Sequence, residues 1–259
     1  MRSRAVPLVA VAAALLLAGC NSSGNGGTSA AGSSSSTAGS STAATGSSSA
    51  ASSRTAQAGC PSVGRAIPAG TRTKQTIDVD GDGRPDTEWI ATAVDASGGV
   101  PFGIRTASGG VFSATITSAS PVARSVMFAD VTGHGEIIAL ASDGRAVALY
   151  SVSHCQLIPE KNVQGQQYTF DLGFTGFGTG VGCVDANGDG TPDLVGLKYV
   201  SESQGQGTIQ RTIVTLNGPN ARNGATDTVP ASNANLAQEA QSVSCGDQSL
   251  TANGVSTGP

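Results

Sequence analysis

The nine residues from Asp78 to Asp86, DVDGDGRPD, put carboxylates at their first, third, fifth and ninth positions. The chain is only 12% charged. Four like charges in one short stretch repel one another and raise one another's pKa values unless a cation lies among them. The phrase returns as DANGDGTPD from Asp185 to Asp193. Calcium takes six to eight oxygens at roughly 2.3–2.6 Å in an irregular shell, which a flexible carboxylate loop supplies. Magnesium dehydrates reluctantly and demands a near-ideal octahedron, so it suits such a loop less well. Asp78, Asp80, Asp82 and Asp86, with the backbone carbonyl of Arg84, are therefore the expected ligands of one calcium ion. Asp185, Asn187, Asp189 and Asp193, with the carbonyl of Thr191, are the expected ligands of a second. Gly83 and Gly190 permit the tight backbone that turns the fifth and seventh positions inward.

A third, degenerate copy lies between them. FADVTGHGEIIAL sets Asp130, Thr132, His134 and Gly135 on the same frame, at intervals of 52 and 55 residues from the other two. Ile138 stands where the last acid should be and His134 where the third ligand should be, so this turn is expected to hold no ion and to rest on hydrogen bonds. An EF-hand is excluded. Its loop ends in a bidentate acid at position 12, where this chain has Trp89 and Gly196. Flanking helices are also missing, because Pro85 and Pro192 disfavour helix just before them and apolar, strand-like runs follow.

The elements that must position these turns read as β. TEWIATAV, GVFSATIT, RAVALYSVS and GTIQRTIVTLN are rich in β-branched residues, and several alternate apolar with polar. DASGG, SGG and SDG punctuate them as hairpin turns. One stretch with helical potential, from Ala231, lacks a wide apolar face. Each interval of about 50 residues holds three or four short strands, the size of a small antiparallel sheet. The expected fold class is all-β: a small or partial β-propeller-like array of three to four antiparallel blades with calcium-binding turns.

The spacing Asp-x-Asp/Asn-x-Asp-Gly-x-x-Asp ahead of an apolar strand resembles the FG-GAP/VCBS repeats of integrin α-type β-propellers. The match covers Asp78–Asp86 and Asp185–Asp193 and is degenerate at Asp130. The resemblance implies a loop joining consecutive strands of one blade and calcium held through these positions. Closed propellers of that family use seven blades, whereas this chain has room for three or four.

The ends of the chain set the compartment. Arg2 and Arg4 precede an apolar stretch, Leu8 to Leu17, too short to span a bilayer comfortably, so residues 1–19 read as a signal peptide. Leu17-Ala18-Gly19-Cys20 resembles the lipobox of bacterial lipoproteins, which implies cleavage before Cys20 and lipidation of its thiol. The expected location is the outer face of the cell membrane, with the membrane as a partner through the lipid. From Cys20 to residue 58 the chain is almost wholly Ser, Gly, Ala and Thr, with no acidic residue and one base, Arg54, and reads as a flexible tether with an r.m.s. span of roughly 35 Å. Residues 59–259 form the β domain. Without Arg2, Arg4 and Arg54 the chain carries 11 basic and 18 acidic residues, a net charge of −7. Seven of those acids lie in the two loops, and no basic stripe is left, which argues against nucleic acid as a partner. Cys60, Cys155, Cys183 and Cys245 are an even set in an exported chain and admit three connectivities. Pairs Cys60–Cys155 and Cys183–Cys245 are favoured because each would clamp a terminal segment.

Few groups are placed for catalysis. His134 and His154 have no accompanying nucleophile elbow, HExxH helix or reactive cysteine. Glu88, Glu136, Glu160 and Glu202 show no acid-pair spacing. The expectation is a calcium-stabilised, non-catalytic binding or scaffold domain whose partner is a protein or a cell-envelope polymer. The alternative is a surface hydrolase whose active site is assembled from separate loops.

Overall fold

Strand-forming segments alternate with glycine-containing turns from Thr71 onward, and each group of four consecutive strands folds back on itself as a meander. A computed structural model describes residues 59–173, 178–202 and 207–258, all within one compact unit, Ser52–Pro259. The signal peptide, Cys20 and the tether lie outside the described residues. The first sheet has the order β1 (Thr71–Gln75), β2 (Thr87–Ala91), β3 (Val100–Arg105), β4 (Val111–Ile116). The second contains β5 (Ser125–Asp130), β6 (Ile137–Ser142), β7 (Ala146–Ser153) and β8 (Gln156–Pro159), with β9 (Thr169–Asp171) also paired to β7. The third runs β10 (Thr179–Val184), β11 (Asp193–Ser201), β12 (Gly207–Asn217), β13 (Asn220–Ala231). A short helix α1 (Ala234–Glu239) and a hairpin of β14 (Ser244–Cys245) and β15 (Gln248–Ser249) follow. Last, β16 (Val255–Ser256) returns to pair with β5 at the edge of the second sheet. The protein is all-β, built of antiparallel sheets, none of them closed on itself.

Period-two alternation decides how the sheets stack, because successive side chains leave opposite faces of a strand. On β5, Val126 and Phe128 face one way and Met127 and Ala129 the other. The first pair, with Ala139, Ala141 and Tyr150, packs on Ile90, Phe102, Ile104 and Phe112 of the first sheet. The second pair, with Ile138, Leu140, Val147 and Leu149, packs on Val181, Leu194 and Val214 of the third. The middle sheet is thus covered on both faces, and every residue of β6 is buried. Such a strand reads as a continuous apolar run, IIALA, without alternation. The third sheet's far face carries Leu197, Ile209 and Val229, covered by Leu236, Ala237 and Ala240 of and beside α1. The Asn233 side chain caps that helix by accepting the Leu236 N–H at 3.0 Å. Leu236 and Ala237 supply the small apolar patch that docks it, so tertiary packing outweighs the narrow face read in the sequence.

Two disulfides brace this stack. Cys60–Cys155 ties the segment before β1 to the β7–β8 hairpin, and Cys183–Cys245 ties β10 to β14. They span 95 and 62 residues, so each removes about 4–5 kcal/mol of loop entropy from the unfolded chain. The hairpin that carries Cys155 turns on His154 and Cys155, both left-handed at φ 51° and 59°. These are the conformations a two-residue primed turn requires, normally given by Asn-Gly.

Glu88 on β2 points the same way as Ile90 and is wholly buried between the first and second sheets. Neither carboxylate oxygen has a hydrogen-bond partner of good geometry. Burial pushes its pKa from 4.5 to about 8, tempered only in part by the Phe128 N–H, the Lys74 charge, the Thr76 hydroxyl and the Val255 N–H. The folded state therefore holds this proton more tightly than the unfolded chain. Stability from the neutral acid is full below pH 4.5 and is lost as pH rises through about 8. Chemical denaturation across that window is expected to show stability falling with pH by an amount on the order of 4 kcal/mol. Glu88→Gln should flatten the slope; an unchanged slope would place the titration elsewhere.

Candidate metal centre

Each sheet carries an acidic turn at the same place, between its first and second strands: β1–β2, β5–β6 and β10–β11. All three share the frame Asp-x-x-Gly-x-Gly. The first aspartate accepts the backbone N–H groups of both glycines. Asp78 takes Gly81 at 2.8 Å and Gly83 at 2.7 Å; Asp130 takes Gly133 at 2.9 Å and Gly135 at 2.7 Å; Asp185 takes Gly188 at 2.6 Å and Gly190 at 3.0 Å. Both glycines are left-handed in every copy, with φ between 73° and 93°, a region other residues enter at a steric cost. Charge-assisted bonds from these N–H groups to the aspartate hold the turn from within.

In the first turn three carboxylates converge. Asp78, Asp80 and Asp86 each place one oxygen within 4.8 Å of the others, the one such cluster among the described residues. Asp86 stands just before β2 and is buried, accepting the Val79 and Ala107 N–H groups, each at 2.8 Å. Burial raises its pKa to about 6 against those two donors, and the charges of Asp80 and Asp78 add to the rise. Asp80 accepts the Cys60 N–H and the Ser108 hydroxyl, both at 2.6 Å. Burial pushes its carboxyl up, but the Ser108, Cys60 and Asp82 donors outweigh burial and hold it below the ordinary value. Asp82 is turned away onto Arg84, whose Nη2 and Nε lie at 2.7 and 3.2 Å.

The second turn repeats the frame but fills its centre differently. Asp193 accepts the Ala186 N–H at 3.1 Å, as Asp86 accepts that of Val79. Asn187 Nδ2 donates to Asp189 at 3.0 Å and to Asp193 at 3.4 Å, so an amide bridges the two acids. Asp189 also accepts the Thr191 N–H at 2.8 Å. The guanidinium of Arg211, paired with Asp227 across β12–β13, feels the charges of Asp185 and Asp193 as well. Among the described residues the carbonyls of Arg84 and Thr191 accept no hydrogen bond.

The middle turn keeps the frame and drops the ligands. Asp130 accepts four N–H groups, adding Thr132 and Glu136, both at 3.2 Å, to the two glycines. Thr132, His134 and Ile138 stand where the other turns carry donors, and Ile138 is buried in the core.

No family model, no curated protein and no solved structure matches the chain. The chemistry of the turns is thus read from their own donor sets. Three oxygen-only side chains, each already held by N–H or hydroxyl donors on one side, suit a hard divalent cation on the other. The residues that sequence reasoning missed are the outer donors Cys60, Ala107 and Ser108. They lie far from the loop in the chain, and no local pattern marks them. The diversion of Asp82 was open to view, since Arg84 sits two residues away. The four glutamates weighed as an acid pair stand in separate surroundings: Glu88 and Glu160 are sealed in the interior, while Glu136 and Glu202 are exposed.

Since Asp130 holds four backbone N–H groups, Asp130→Ala should destabilise the protein by about 2–3 kcal/mol, through the loss of these charge-assisted hydrogen bonds. Denaturation midpoints measured with and without chelator should shift equally. A shift that appears in one condition only would contradict a metal-independent turn.

Proposed function

We propose that the chain is a calcium-stabilised, non-catalytic binding or scaffold module, carried on the cell surface by a lipid on Cys20 and the tether that follows it. The observation that carries the calcium reading is the convergence of Asp78, Asp80 and Asp86 at a turn whose backbone is already fixed. Bound there, calcium would supply charge neutralisation and a rigid link between the strands that enter and leave the turn. Asp82 would join the shell by releasing Arg84, and the free carbonyl of Arg84 is a further donor. The second turn offers Asp185, Asp189, Asp193 and the Asn187 carbonyl oxygen, with that of Thr191. Its ion must displace the Asn187 amide from two carboxylates and sit near Arg211, so it binds the more weakly.

Three meanders, each with its acidic turn between strands one and two and each packed face to face on the next, support the resemblance to FG-GAP/VCBS propeller blades. In this reading the array is an open run of three blades, its last face covered by α1. A surface module of this kind presents loops and edges to a protein or an envelope polymer, and its net negative charge disfavours nucleic acid. The two disulfides fit an oxidising compartment outside the cytoplasm.

At about 1 mM free calcium, a site with a Kd of 0.1–1 mM would add roughly 0.4–1.4 kcal/mol of stability. Calorimetric titration of the purified chain with calcium should give two equivalents of unequal affinity, and chelator should lower the melting temperature. Asp80→Asn should remove the tighter equivalent and Asp193→Asn the weaker one. Absence of any binding heat, with a melting curve indifferent to chelator, would overturn the calcium reading.

A further inference from the structure

Where the second sheet covers the third, the third sheet is apolar, at Val181, Leu194 and Val214. Alternation puts Thr179, Lys198, Gln210 and Thr212 on that same face, so further along the strands it becomes polar. Phe170 of β9 packs on the apolar part and also lines a groove of about 300 Å³ over the polar part. Small-ligand clefts run from about 300 to 1,000 Å³. One wall is a row of side chains at paired positions on three strands: Thr179 on β10, Lys198 on β11 and Gln210 on β12. Among the described residues the Lys198 ammonium and the Gln210 amide make no hydrogen bond. The Thr179 hydroxyl oxygen is buried and has no partner either. On the opposite wall Tyr168 is held from two sides. Its ring meets that of Phe170 edge to face at 5.3 Å, and its hydroxyl donates to Asn223 Oδ1 at 2.5 Å. Gly196 also lines the groove, and a Cβ there would lie 3.6 Å from the Phe170 ring. Glycine keeps that space open. A solvated strand face accounts for an exposed lysine and glutamine. It does not account for a buried hydroxyl without a partner, since such groups in native proteins are met by protein, water or ligand.

The lining decides the class of ligand. Amides and hydroxyls offer donors and acceptors in several directions, and Lys198 and Asp171 carry opposite charges, so no sign dominates. A fixed aromatic ring stands beside them. A pyranose is the matching shape, with a rim of hydroxyls around a face of C–H groups. A protein partner would want an apolar anchor, and among the described residues none of the exposed large hydrophobic side chains lines the groove. A single lysine is too little for a polyanion. We infer that the groove binds a segment of an uncharged saccharide chain. This names the envelope polymer of the binding-module reading and rests on that reading. Lys198, Gln210 and the Asn223 amide nitrogen hydrogen-bond the sugar hydroxyls, Thr179 takes one more, and the preset Tyr168 ring packs on the C–H face. Because ring and amide are already locked together, little ordering is left to oppose binding. None of these residues belongs to an acidic turn, so the inference stands apart from the calcium reading.

The test is an NMR titration of the intact chain, in calcium-containing buffer, with short oligosaccharides of glucose, mannose, galactose and N-acetylglucosamine, beside a mixture of random peptides. At least one sugar should shift the resonances of Tyr168, Lys198 and Gln210 saturably. Gly196→Val, which fills the groove, should abolish those shifts. Gln210→Ala, at an exposed position that should fold as the parent does, should weaken binding about fivefold. Absence of shifts with every sugar would overturn the inference, as would shifts that both variants leave unchanged. Peptides that move these residues where sugars do not would overturn it too, assigning the groove to a protein partner. Mass spectrometry of the recovered sugar separates this inference from the reading beneath it: a shortened chain would contradict a non-catalytic module while leaving the ligand class in place.

Discussion

One carboxylate accepting two left-handed glycine N–H groups recurs three times in this protein, and the register of each sheet follows from it. With Asp78, Asp130 and Asp185 so engaged, the position before each aspartate pairs with the ninth residue of the turn: Ile77 with Asp86, Ala129 with Ile138, Val184 with Asp193. A slip of one residue would turn every side chain of the following strand to the wrong face. For β6 that would exchange the sets of residues that serve the first and third sheets. The turn thus acts on packing as much as on any ion.

Ligand chemistry is layered on this frame and varies where the frame does not. In the first turn Asp80 and Asp86 are steadied by donors from Cys60, Ala107 and Ser108, which lower the cost of holding three carboxylates in a small volume. In the second an amide and a nearby guanidinium take up the same charge. In the middle a buried isoleucine replaces the last acid, and that position joins the core. Electrostatic cost is met in three ways within one fold: by backbone dipoles, by a side-chain amide and by deletion of the charge.

Much of this was legible in the residue pattern, and the reasons are local. The acid spacing and the repeat interval marked the turns. β-branched runs and hairpin punctuation marked the strands, and an even cysteine count marked the bridges. What escaped notice depends on distant partners. Glu88 reads like any charged strand residue until β5 and β16 close over it. The glycine at the fourth position of the frame is a local exception: DVDGDG, DVTGHG and DANGDG all carry it, but it offers no ligand, so the metal-ligand pattern does not mark it. Helix α1 was open to doubt on its narrow apolar face. Leu197 and Ile209, which give that face something to cover, come from strands earlier in the chain.

Amide hydrogen exchange at Gly81, Gly83, Gly133, Gly135, Gly188 and Gly190, measured in chelator and again with calcium, tests most directly whether aspartate alone sets these turns. All six N–H groups should be protected in chelator, with added calcium slowing exchange further in the first and third sheets only. Exchange at the rate of an unstructured peptide in chelator, at any of the three pairs, would contradict a frame that precedes the ion.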